Sequence, residues 1–151
     1  MTDTLGWREW VSLPDLNIDL IKAKIDTGAR TSTLHAFDVE LLNVSGKGFV
    51  KFSIHPNQRD SGKVIECQAP LFDQRVVRDS GGHTESRYVI ETKIIIGSAV
   101  HIAEVTLTNR DNMGFRMLIG RTTMKGLYLV DPGKSYLIGK RKKRSLLKNE
   151  K

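Results

Sequence analysis

Ile18-Asp19-Leu20-Ile21-Lys22-Ala23-Lys24-Ile25-Asp26-Thr27-Gly28-Ala29 is the stretch that decides the reading of this chain. Ile21, Ala23 and Ile25 alternate with lysines, so they fall on one face of a half-buried strand. Asp26 closes that strand, and Thr27-Gly28 supplies the residues of a sharp turn. A carboxylate at the end of a buried strand must be hydrogen-bonded, paired or neutralised. One solution is to face a second carboxylate and share a proton with it, the arrangement by which paired aspartates activate water. Asp-Thr-Gly alone is ordinary turn chemistry. It gains weight from a second apolar run closed by glycine near the other end, Met117-Leu118-Ile119-Gly120-Arg121.

Strand signals outnumber helix signals along the rest of the chain. Trp7 to Leu13 and Ile18 to Ile25 read as a hairpin across Pro14-Asp15-Leu16-Asn17. Val39 to Val44, Phe49 to Ile54 and Val64 to Ala69 read as further strands. Val76 to Arg78 and Arg87 to Ile90 flank a glycine-bearing tip, Asp79 to Glu85. Thr92 to Ile96 and His101 to Thr108 form another pair across Gly97-Ser98. One short helix is predicted over Thr122 to Gly126, and Leu127 to Val130 and Tyr136 to Ile138 close the sequence. Many short strands with regular turns predict an all-β barrel or sandwich.

The chain has 151 residues and a single cysteine, Cys67. That length suits one domain, here residues 1–139, and one cysteine excludes an internal disulfide framework or a multi-cysteine zinc site. No apolar run has signal-peptide or membrane-span length, so the expectation is a soluble, cytoplasmic protein without a membrane role. The formal charge of +7 points to acidic partners. Much of it lies in Lys140-Arg141-Lys142-Lys143-Arg144 and beyond, so residues 140–151 read as a basic, disordered tail.

The pairing of Ile25-Asp26-Thr27-Gly28-Ala29-Arg30-Thr31-Ser32 with Leu118-Ile119-Gly120-Arg121 resembles the retropepsins, the single-domain aspartic proteases of retroviral type. The closer similarity is to a bacterial retropepsin-like family also called ATP-dependent zinc proteases, which accompanies ATP-grasp glutamate ligases acting on a small-subunit ribosomal protein. Leu34-His35-Ala36, Val77 to His83, Glu104 to Arg110 and Val130-Asp131-Pro132 carry the rest of the likeness, which runs from about Trp7 to Ile138. It implies a closed retropepsin-like barrel and a homodimeric aspartic endopeptidase in which each subunit contributes one catalytic aspartate, Asp26. By the same resemblance Thr27 would lock the two Asp26-Thr27-Gly28 loops together across the two-fold axis. Asp79-Ser80-Gly81 repeats the pattern but lacks an apolar-apolar-Gly strand of its own, so it reads instead as the tip of a flap. Gly81, Gly82 and His83 would then cover substrate beside Ala29.

Retroviral enzymes carry an acid where this chain has Arg30, which removes the usual partner of Arg121. Both arginines are therefore candidates for binding substrate carboxylates, with pairing to Glu104, Asp111 or Asp131 as the alternative. His35, His55, His83 and His101 show no metal-ligand spacing, and no phosphate-binding glycine loop occurs, so neither zinc nor ATP is expected. Trp7, Trp10 and Phe115 read as core or dimer-contact aromatics, and nucleic acid is not the expected partner. The function expected is cleavage of an acidic protein, with a glutamate-extended tail as the natural candidate. The competing expectation is a catalytically idle barrel that binds an acidic protein or the ribosome.

Overall fold

The computed structural model describes residues 2–57, 62–78, 81–109 and 114–140. The basic run beyond Lys140, the Asp79-Ser80 pair, Arg110 and Asp111 lie outside them. The strands are β1 (Asp3–Leu5), β2 (Arg8–Leu13), β3 (Ile18–Ile25), β4 (Ser32–His35), β5 (Phe37–Val44) and β6 (Lys47–Ile54). They continue as β7 (Ile65–Pro70), β8 (Asp73–Arg78), β9 (Thr84–Ile96), β10 (Ala99–Thr108), β11 (Met117–Ile119) and β12 (Tyr128–Val130). One short helix, α1 (Arg121–Met124), follows β11. The architecture is mostly β with a short helix near the C-terminal end, as the strand and turn pattern predicts.

The main sheet has the order β10-β4-β11-β3-β2-β9-β8, and β9 also pairs with β10, so the hydrogen-bonding order returns on itself. Inside lies an apolar core built from Val11, Leu13, Ile18, Ile21, Ala23, Leu34, Ile90, Ile94, Ile96, Val105 and Met117, among others. β5, β6 and β7 form a separate three-stranded sheet whose Val50, Phe52 and Ile54 join the same core. β1 and β12 make a small parallel pair.

Three departures from the sequence pattern are informative. Arg87 to Ile90 and Thr92 to Ile96 are one strand: Thr84 to Val89 pairs with β8, and Val89 to Ile96 pairs with β10. The hairpin is thus a direct extension of the sheet wall, and the exposed Glu91 does not interrupt it. β4 was not predicted as a strand because it is buried on both faces and half polar, so it shows no alternation. Its hydroxyls are satisfied inside, Ser32 Oγ lying 2.7 Å from Thr123 Oγ1 and Thr33 Oγ1 3.0 Å from Thr106 Oγ1.

Tyr136 to Ile138 is not a strand. Its backbone is claimed instead by a buried side chain, Glu9, which accepts hydrogen bonds from the N–H groups of Gly6, Leu137, Ile138 and Gly139. The approach is so close that a Cβ on Gly139 would overlap the Trp10 carbonyl, which is why only glycine serves there. Glu9 is fully buried, so these donors replace the water its charge would otherwise require.

Candidate active site

Ile21, Ala23 and Ile25 are buried on β3, and Asp26 follows at the mouth of the sheet, half-buried rather than enclosed. β11 runs parallel beside β3 with Ile119 opposite Ile25. The Asp26 N–H donates to the Ile119 carbonyl at 2.9 Å, so the apolar-apolar-Gly strand directly supports the aspartate. The loop closes on itself: Gly28 N–H donates to Asp26 Oδ1 at 3.0 Å and Ala29 N–H to the Asp26 carbonyl at 3.2 Å. This is the Asx turn that the Asp-Thr-Gly triplet favours.

Gly120 shows why glycine ends the supporting strand. A Cβ there would stand 2.6 Å from the Thr31 carbonyl carbon and 2.9 Å from the Ser32 nitrogen. That closeness lets the Gly120 N–H reach Ser32 Oγ, and the Arg121 and Thr122 N–H groups reach the carbonyls of Ala29 and Arg30 at 2.8 and 2.9 Å. The exposed Arg121 side chain also donates from Nη1 to the Thr27 carbonyl at 2.9 Å. The aspartate loop is therefore held at several points by the backbone that runs from β11 into α1. Thr27 itself is exposed.

Asp26 opens into a cleft of about 710 Å³ whose walls include Gly28, Ala29, Arg30, Thr33, Thr106 and Leu118 on one side. The other side is the β8–β9 hairpin, which contributes Arg75, Val76, Val77, Arg78 and Arg87. The predicted hairpin thus shares a cleft with Asp26, but its stem lines that cleft. Gly81, Gly82 and His83 lie exposed at the tip and are not among the lining residues. Arg75, Arg78 and Arg87 were not singled out from sequence. The available signal was the alternation in Asp73-Gln74-Arg75-Val76-Val77-Arg78, which sets Arg75 and Val77 on one face.

The arginines differ in what holds them. Arg75 donates to Asp73 at 2.7 Å and to Glu104 at 2.6 Å, and Asp73, hydrogen-bonded by that guanidinium, titrates below the usual carboxylate range. Arg87 lies against Glu85 at 3.3 Å, and Glu85 also accepts from Thr108 Oγ1 at 3.0 Å. Arg30 and Arg78 are exposed and make no ion pair with the described residues. Of the acids considered for Arg30 and Arg121, Glu104 belongs to Arg75, and Asp131 accepts the Gly133 N–H of its own turn.

The other sequence candidates are dispersed. His35 is fully buried with its ring 6.4 Å from that of His55, and His101 Nε2 lies 2.6 Å from Tyr128 Oη between β10 and β12. Among the described residues no three of His, Cys, Asp and Glu converge as a metal site would. Burial pushes the Cys67 thiol up to about 11, which leaves it protonated and inert at neutral pH. Trp7 meets Phe115 edge-on at 5.7 Å, and Trp10 stacks on Tyr136 at 6.1 Å. Among the described residues no helix is long and apolar enough to cross a membrane.

A mostly β fold whose Asp-Thr-Gly loop is backed by an apolar-apolar-Gly strand defines a retropepsin-like protein. Residues 4–141 match the RimB-like family model, described as retropepsin-like aspartic endopeptidase RimB, and the chain belongs to that family. It is 41% identical over 142 residues to a probable alpha-L-glutamate ligase of Desulfotalea psychrophila, covering 94% of this chain and 31% of the relative. A protein of the same name from Parasynechococcus marenigrum is 45% identical over 135 residues, covering 89% of this chain and 29% of the relative. The chain therefore spans about three tenths of the curated relatives it matches. A Legionella pneumophila structure, described as a protein of unknown function, shares the fold with a TM-score of 0.76 and 23% identity. That match covers 91% of this chain and 99% of the other.

Proposed function

We propose that this chain is an aspartic endopeptidase that works as a homodimer and cleaves an acidic protein, a glutamate-extended tail being the natural substrate. In this reading the self-closing strand order is the closed barrel of a retropepsin half-site, and Asp26 is one member of a catalytic pair. The observation that carries it is the seating of Asp26 on β11, with its carboxylate open to a cleft walled by a hairpin.

The chemistry needs a second carboxylate about 3 Å away, because two such charges cannot both ionise and one retains a proton. The ionised member takes a proton from water as it attacks the scissile carbonyl, and the protonated member donates to the carbonyl oxygen. The apparent pKa values belong to the pair, so neither copy of Asp26 has a fixed role. A two-fold axis beside the exposed Thr27 would bring two identical loops together. The hairpin would cover the bound peptide, with Gly81, Gly82 and His83 at its leading edge.

The acidic substrate is supported by Arg30, Arg75, Arg78 and Arg87 in one cleft with a single aspartate. Association with a glutamate ligase is supported by relatives of that name that contain a matching region in a longer chain. Those names also favour a second reading, in which the domain holds an acidic chain for a ligase without cutting it. The Asp26→Asn protein, assayed on a glutamate-tailed protein, separates the two. The amide keeps the shape but cannot act as base, so cleavage should fall by at least about 10²-fold while binding persists. Activity of the wild type should also fall faster than linearly on dilution below the dimer dissociation constant. Undiminished turnover by purified Asp26→Asn protein, or a fully active monomer, would remove the paired-aspartate mechanism.

A further inference from the structure

We propose that Arg30 and Arg78 are the specificity-determining cations of the cleft, taking substrate carboxylates from opposite walls, while Arg75, Arg87 and Arg121 are committed to holding those walls in place. The proposal rests on the acidic-substrate reading above and goes further by dividing the arginines between recognition and structure.

The division follows from their partners. A guanidinium recognises carboxylate best when its fork is free to bind with two parallel N–H donors. Arg75 uses Nε on Asp73 and Nη1 on Glu104, which ties the edge strand β8 to β10. Arg75 and Arg87 also stand directly opposite each other across β8 and β9. Two like charges in that position repel unless each is compensated. Asp73 and Glu104 compensate the first, and Glu85, anchored on Thr108, compensates the second. Arg121 is directed at the Thr27 carbonyl and stabilises the aspartate loop.

Arg30 and Arg78 remain. Arg30 follows the Asp26 loop, whereas Arg78 ends β8 at the far end of the hairpin stem, opposite Thr84. Both line the Asp26 cleft, both are exposed, and neither has an ion pair among the described residues. An extended peptide presents alternate side chains to opposite sides, so a peptide with successive acidic residues offers carboxylates to both walls.

The test is direct binding to the full chain carrying Asp26→Asn, so that it does not depend on cleavage. Fluorescence anisotropy is read with dye-labelled hexaglutamate and hexaglutamine peptides at low salt. The glutamate peptide should bind at least about tenfold tighter, and Arg30→Met or Arg78→Met should each erase most of that ratio without lowering the thermal midpoint. Arg30→Lys and Arg78→Lys should restore part of it, because a point charge remains. Arg75→Met should weaken both peptides alike and lower the midpoint, since it frees the hairpin edge. An unchanged glutamate-to-glutamine ratio in Arg30→Met and Arg78→Met, or loss of that ratio in Arg75→Met alone, would overturn the assignment. Persistence of the ratio in a protein that never cleaves would retain the assignment and reject only the peptidase reading.

Discussion

Glu9 and Asp26 are carried by neighbouring strands of one sheet, and their surroundings are opposite. Glu9 is fully buried and accepts the N–H groups of Gly6, Leu137, Ile138 and Gly139, so its lone pairs are used inside the fold. Asp26 is half-buried and accepts the Gly28 N–H on one oxygen, while the cleft lies open before it. The first carboxylate closes the C-terminal segment onto β2. The second is held rigidly by its backbone yet keeps acceptor capacity for water or a partner carboxylate. A carboxylate suited to chemistry differs from a structural one in how few of its lone pairs the fold occupies.

Exchanging the roles of these two residues is the strongest way to break the comparison. Asp26→Asn should reduce peptide cleavage by about 10²- to 10⁴-fold or more, the usual contribution of a positioned acid or base. Its urea midpoint should stay close to wild type. Glu9→Gln should do the reverse: it puts an amide among backbone donors and lowers stability by about 3 kcal/mol or more, with cleavage by the remaining folded protein largely retained. Equilibrium urea unfolding and activity per folded molecule measure the two effects separately. A Glu9→Gln protein of normal stability would show that the buried charge contributes little to the fold.

A smaller effect is expected at Gly120, where the comparison can be sharpened through backbone alone. Gly120→Ala places a Cβ against the Thr31 and Ser32 backbone and should cost about 1–3 kcal/mol. Because the displaced segment holds the Asp26 loop, kcat should fall beyond what the loss of folded protein explains. An alanine variant with normal stability and kcat would show that the strand does not position the aspartate.

The smallest effect concerns His101, which links β10 to Tyr128 and which burial holds below the ordinary imidazole value of about 6.5. The folded state disfavours its charged form, so between that depressed value and about 6.5 the unfolded chain binds more protons. Stability contributed by neutral His101 is present above about 6.5 and is lost as pH falls through this window. The urea midpoint should therefore decline between pH 7 and pH 5, and His101→Gln should flatten part of that decline. An unchanged slope would place the acid sensitivity in other groups.

Much of the site was legible because its parts are local. Strand β3 reads directly from the alternation of Ile21, Ala23 and Ile25, and the Asp26-Thr27-Gly28 turn reads from residues that favour turns on their own. Met117-Leu118-Ile119-Gly120 was legible in the same way as an apolar run closed by glycine, but its place beside the aspartate was implied only by the resemblance to retropepsins. β4 was missed because a strand buried on both faces has no alternation, and its hydroxyls are tolerated only through partners on β10 and α1. Glu9 did leave a trace, since it shares the inward phase of Val11 and Leu13, but nothing nearby revealed four donors arriving from both ends of the chain.

The sequence by itself determined the strand-turn unit carrying Asp26 and the excess of positive charge, since each rests on residues adjacent in the chain or on composition, and it determined the family through motifs spread from about Trp7 to Ile138. Only the tertiary structure decided which arginines surround Asp26 and which of them are already paired. Glu104 is far from Arg75 in sequence and 2.6 Å from it in space, whereas Arg121 meets a carbonyl instead of an acid. The physical reason is range. Turn and strand preferences act over a few residues, whereas an ion pair depends on distances of a few ångströms that exist only after the strands have been brought together.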